Sequence, residues 1–150
     1  MRTRRATGPA QEGFTLIELL VVLVILGLLA GLVGPRLFGR VSDARRQTAR
    51  SQIELLGTAL DNYRLDNGRY PTTEQGLAAL RERPRTEPLP VRWRGPYLEK
   101  PVPEDPWGSA YVYRSPGEAS PSGYDLLSLG ADRERGGEGE NADVVSWEHE

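Results

Sequence analysis

Between Leu129 and Val144 the chain gathers Asp132, Glu134, Glu138, Glu140, Asn141 and Asp143 among Gly130, Gly136, Gly137 and Gly139. Five carboxylates on a short glycine-rich stretch repel one another unless water solvates them or a cation bridges them. Hard oxygen donors on adaptable backbone suit Ca2+, which accepts irregular geometry. The ligand spacing of an EF-hand is absent, so on residues alone a solvated acidic loop is the plainer reading and a cation site the sharper one. Glu18 is the second group of interest, a lone acid in an apolar run. Near the centre of a bilayer such a charge costs roughly 2.5–3.5 kcal/mol, and it calls for a partner. His149, the only histidine, sits beside the C-terminus, where chains fray, and reads as a tail residue. With no cysteine, no Ser/His/Asp arrangement and no Gly-Lys-Ser/Thr phosphate loop, nothing supports a nucleophile or a nucleotide site. The chain reads as a non-enzyme.

The element that must position Glu18 is the run from Phe14 to Val33, roughly 20 residues of nearly unbroken apolar character and about 30 Å long as a helix. Its Leu, Ile and Val residues offset the buried acid, so residues 14–35 are expected to insert as the transmembrane half of a longer helix. Ahead of it, Met1 to Gly13 carries Arg2, Arg4 and Arg5 against Glu12. A secretory signal places its small-residue cleavage site after the apolar run, whereas here Gly13 stands before it. Cutting after Gly13 would remove a basic leader, 1–13, keep the helix and create an α-amine on Phe14. That amine, about one turn from Glu18, would offer the carboxylate of a staggered neighbouring copy its cation.

Gly13-Phe14-Thr15-Leu16-Ile17-Glu18, with the basic leader and the span that follows, resembles the class III signal of type IV pilins and pseudopilins. The resemblance implies that a prepilin peptidase cuts between Gly13 and Phe14 and methylates the new amine of Phe14. The bland alternative is an ordinary single-pass anchor with a stray Glu.

Gly34-Pro35 predicts a kink or local melting. Arg36 and Arg40 mark the membrane exit and compete with the basic leader for the cytoplasmic side. The resemblance implies a leader in the cytoplasm, a single pass through the bacterial inner membrane and a head in the periplasm. Over residues 36–65, Val41, Ala44, Ala49, Ile53, Leu56, Leu60 and Tyr63 fall near helical spacing, so one helix is expected from Phe14 to about Leu65. Asp66-Asn67-Gly68 stops it, and residues 66–150 form the head. Thr72 and Gln75 make a capping box for a short helix ending at Leu80. Arg81 to Val91 reads as a proline-rich surface loop, and Asp105-Pro106-Trp107-Gly108 as a corner whose Trp107 thickens a thin core. Strands are expected at Ala110–Arg114, Tyr124–Leu129 and Asp143–Trp147. Three antiparallel strands on the apolar stripe of a long helix make an α+β fold. Losing Arg2, Arg4, Arg5 and Glu12 with the leader leaves 16 basic against 20 acidic residues, net −4. No basic stripe with interleaved aromatics appears, which argues against nucleic acid. Without disulfides, a small loop-rich head needs another staple.

The run from Tyr70 to Leu80, the Asp105–Gly108 corner, Ser128 to Asp132 and Gly136 to Asp143 together resemble the major pseudopilins of type II secretion systems. That resemblance implies a pilin-like fold and a Ca2+ in the acidic loop, held by the Leu129 carbonyl and the carboxylates of Asp132 and Asp143, with Asn141 a weaker candidate. The family often has glycine after the first aspartate and a second acid near the position of Asn141. Arg133 and Asn141 stand there in this chain, and both departures reduce local negative charge. The implied function is the core subunit of a pseudopilus, a homopolymer that pushes folded proteins across the outer membrane. Its partners would be minor pseudopilins, the prepilin peptidase, an inner-membrane assembly platform driven by a cytoplasmic ATPase, and the secreted proteins. Two other readings stay open: an adhesive or competence-type type IV pilin, and a membrane-tethered calcium-binding domain that never polymerises.

Overall fold

In the computed structural model the described residues are 13–148, with the side chains of 33–38 left out of the description. The basic leader up to Glu12, the side chains of Pro35 and Arg36, and His149 therefore lie outside the described residues. The chain divides into two compact units between Gly39 and Arg40.

Helix α1 runs from Leu16 to Asn67. It starts just after Thr15, whose Oγ1 accepts the backbone N–H of Glu18 at 3.3 Å while its carbonyl accepts that of Leu19. Thr15 and Glu18 thus stand at the first and fourth places of a capping box, with the acid in the first turn. The helical assignment continues through Gly34 and Pro35, so the expected local melting is not seen. A proline withdraws one hydrogen bond, and a helix of this length keeps the ladder on either side. In the first unit the large apolar side chains from Phe14 to Leu32 are 47–88% exposed. Among the described residues no helix is long and apolar enough to cross a membrane.

In the second unit α1 buries Ala49, Ile53, Leu56, Leu60, Tyr63 and Asn67, spaced alternately by four and three. Val41 and Ala44, expected on the same stripe, are exposed, because the head begins to cover the helix only at Ala49. The stripe packs on a three-stranded antiparallel sheet in the order β1 (Val112–Arg114), β2 (Asp125–Ser128), β3 (Val144–Val145). Val112 pairs with Leu127 and Ser128 with Val144, so Tyr113, Leu126 and Val144 reach the core. All three strands are shorter than expected, since β1 and β3 pair only where β2 lies between them.

Loops make up much of the head, and side chains wire them. The Thr72–Gln75 capping box forms as a reciprocal pair of 3.1 and 3.2 Å bonds. It heads a hydrogen-bonded turn and a 3-10 segment, Leu77–Leu80, in place of an α-helix. Gln75 Nε2 also donates to the carbonyls of Thr86 and Pro88, and Arg69 to those of Pro88 and Leu89. The 81–91 segment is therefore pinned, with Pro90 wholly buried. Asp125 accepts three successive N–H groups, from Glu118, Ala119 and Ser120, at 2.6–3.0 Å. Gly117 is needed there, because a Cβ at that place would lie 2.3 Å from the Asp125 carboxylate.

Candidate functional site

Two places carry the residues singled out by the sequence, one in each unit. In the first, Gly13, Phe14 and Thr15 form a short non-helical lead into α1, and all are exposed. Nothing lies within 4 Å of where a Cβ at Gly13 would stand. Among the described residues the fold places no demand for glycine at that position. Glu18 is exposed on the first turn, where the positive pole of the helix attracts an anion.

In the second unit the acidic loop closes on itself. Ala131 N–H donates to the Glu140 carbonyl at 3.1 Å, and Gly139–Asn141 make one 3-10 turn. The Asn141 backbone is pressed between Gly130 and Gly137: a Cβ at Gly137 would come 2.6 Å from its carbonyl oxygen. Asp132 is exposed, and its Oδ1 accepts the Glu134 N–H at 3.1 Å. Asp143 is half-buried, with Oδ2 accepting from Gly136 at 3.1 Å. Its Oδ1 is buried and has no hydrogen-bond partner. A buried carboxylate oxygen without a donor is costly, and a cation is one way to satisfy it. Arg133, where the resemblance implies glycine, has φ of 64° and holds a left-handed conformation that side chains rarely adopt.

Among the described residues no three of His, Cys, Asp or Glu converge on a metal-holding point. Asp132 and Asp143 each accept a separate backbone N–H, from Glu134 and from Gly136. The oxygen of this loop that a cation would satisfy is the buried, unpartnered Oδ1 of Asp143. The loop is tied outward by Arg45–Glu140 at 2.8 Å and by Arg135 to Glu118 at 3.7 Å, with Glu118 also held by Arg114. These pairs are half exposed and each contributes about 0–1 kcal/mol.

Sequence reasoning passed over the wiring that presents this loop. Asp105 Oδ1 accepts the N–H of Trp107 and of Ser109, and its Oδ2 accepts the Ser128 hydroxyl at 2.5 Å. Ser128 Oγ in turn accepts the Gly130 N–H. The Asp-Pro-Trp-Gly corner therefore holds the start of the acidic loop from 23 residues away. The Asp two residues before Trp107 signalled a local turn, but its second oxygen had no visible partner in the sequence.

The family described as type II secretion system (T2SS), protein G, matches residues 36–147. The prokaryotic N-terminal methylation motif matches residues 8–34. The type II secretion system core protein G of Pseudomonas aeruginosa is 47% identical over 140 residues, covering 93% of this chain and 96% of that protein. Its counterpart in Vibrio cholerae is 49% identical over 138 residues, 91% of this chain and 92% of that one. In three dimensions the chain is similar to the crystal structure of the major pseudopilin from the type 2 secretion system of enterohaemorrhagic Escherichia coli. The TM-score is 0.65 at 41% identity, over 75% of this chain and 95% of that one.

Proposed function

This chain belongs to the type II secretion system protein G family and is a pseudopilin, and from that premise we propose how its two sites serve a filament. The leader is removed between Gly13 and Phe14, Phe14 is methylated, and α1 anchors the subunit in the inner membrane with its head in the periplasm. Copies then pack through the first unit into a pseudopilus, where Glu18 meets the Phe14 amine of a neighbour. The filament moves folded proteins outward, powered by an ATPase elsewhere in the system, and this chain performs no catalysis itself. Minor pseudopilins, the prepilin peptidase and an inner-membrane platform are its expected partners.

The observation that carries this reading is the exposed apolar surface from Phe14 to Leu32. No surface of that extent stays in water, so lipid before assembly and sister helices after it are its natural cover. The exposed Gly13–Phe14 bond, outside the helix and free of any packing demand, is open to a peptidase. The acidic loop would hold Ca2+ through Asp132, Asp143 and the Leu129 carbonyl, with Asn141 completing the set. The ion would tie the last strand to the rest of the head, the task disulfides perform elsewhere.

Intact mass of the membrane-extracted protein tests processing directly. A chain beginning at Phe14 and carrying one extra methyl group is expected, whereas a chain beginning at Met1 overturns the reading. Glu18→Ala should insert normally yet yield no filaments; filaments at the normal level would remove the role given to Glu18.

A further inference from the structure

We propose that the cleft around Arg64, Arg69 and Tyr70 receives the carboxylates of Glu134 and Glu138 from the acidic loop of a second copy, joining heads head to tail. The proposal rests on the filament reading above and adds a contact to it.

The cleft has a volume of about 310 Å3 and is lined by Arg64, Arg69, Tyr70, Thr72, Ser115 and Ser122 among others, with no carboxylate in its lining. Arg64 lies over the Tyr70 ring, 5.0 Å from its centroid, and donates to the Tyr70 hydroxyl at 3.2 Å. That hydroxyl donates in turn to Asp61 at 2.7 Å. Arg69 spends Nη2 on two loop carbonyls, while its Nε is buried and has no acceptor. That Nε is closed off from outside the head, so Arg69 acts on the cleft through its charge, and a carboxylate is the anion that suits a pair of guanidinium groups best. Two guanidinium groups, four hydroxyls and no acid in the lining make a receptor for an anion.

The same head supplies the anion at its other end. Glu134 and Glu138 are exposed and take part in no ion pair among the described residues. Neither belongs to the oxygen set expected to hold Ca2+, so both remain charged with the ion bound. The loop is fastened beside Arg45 by Glu140, and Arg64 lies nineteen residues further along α1. At 1.5 Å per residue the two patches stand roughly 28 Å apart along the helix, too far for a loop to reach its own cleft. Different patches that fit one another cannot close a two-fold dimer; they propagate, which is what a filament requires. The contact therefore joins copies displaced by about the same 28 Å along α1.

The chain has no cysteine, so introduced cysteines report this contact without background. The full-length chain carrying Ser122→Cys and Glu138→Cys, oxidised in the membrane of the producing cell, is expected to give a ladder of dimers, trimers and longer species. Each single variant should stop at dimers or remain monomeric. Filaments that pellet normally from the double variant without a ladder would overturn the contact and leave the filament reading intact. No filament in the pellet, from this variant or from the unaltered chain, would overturn both. In parallel, Arg64→Glu should cut filament yield by about tenfold, and adding Glu138→Arg should restore at least half of it. An unchanged yield for Arg64→Glu, or no rescue in the pair, counts against the proposal.

Discussion

A single oxygen separates the two readings of the acidic loop. Glu134, Glu138 and Glu140 face water or an arginine, as solvated carboxylates do, but Asp143 Oδ1 is buried without a donor. If Ca2+ occupies the loop, its binding free energy adds to the stability of the head. At a hundred times its Kd the ion contributes about 2.7 kcal/mol, which for a domain of this size raises Tm by on the order of 10 °C. Thermal unfolding of the detergent-extracted chain, followed by tryptophan fluorescence with and without Ca2+, measures that rise. Asp132→Ala should lower Tm and abolish the response, and a response that survives the substitution would remove Asp132 from the site. Arg133 in its left-handed conformation adds strain to a position where glycine would be at ease. Its cationic side chain also lowers the loop's negative charge, which points to weaker Ca2+ binding than an unsubstituted loop would show.

At the level of elements, Thr72 and Gln75 show how a local signal acquires a second use. Thr72 serves the capping box alone, so Thr72→Ala should cost about 1 kcal/mol. Gln75 is buried and also donates to the carbonyls of Thr86 and Pro88. Gln75→Ala should therefore cost more, about 2–3 kcal/mol, and loosen the 81–91 segment as well. Urea unfolding compares the two variants, and equal losses would deny the second use. Helix, strands and this capping box were legible because each depends on residues a few places apart. Strand length was not, since it is set by how far β1 and β3 overlap the four residues of β2. The exposure of Val41 and Ala44 was hidden too, because their periodicity matches the stripe and only the reach of the head leaves them uncovered. The Asp105–Ser128 bond bridges two segments that each look self-sufficient. The Thr15–Glu18 cap was spelled out in the sequence and overlooked because the apolar run drew Glu18 into a different argument.

Across the whole molecule, every one of the six tyrosines has its phenol pKa raised, with burial the leading cause each time. Tyr124 is pushed up to about 12. The fold favours the neutral phenol, so this contribution is fully present below the ordinary tyrosine pKa of about 10. It is lost as pH rises from there through the raised values. Ultraviolet absorbance should show little tyrosinate near pH 10, then a steep rise at higher pH coincident with unfolding. A gradual titration centred near the ordinary value would contradict the packing of these rings. The start of α1 carries a consequence of another kind. With Thr15 closing the first turn and Glu18 on it, the carboxylate already sits in the attractive field of its own helix end before any sister copy arrives. In the assembly proposed above, a newly trimmed subunit would thus wait singly in the bilayer, its charge partly answered. Joining the fibre would replace a fractional, built-in counter-charge with a whole one, so recruitment would gain strength without making the unassembled reserve untenable.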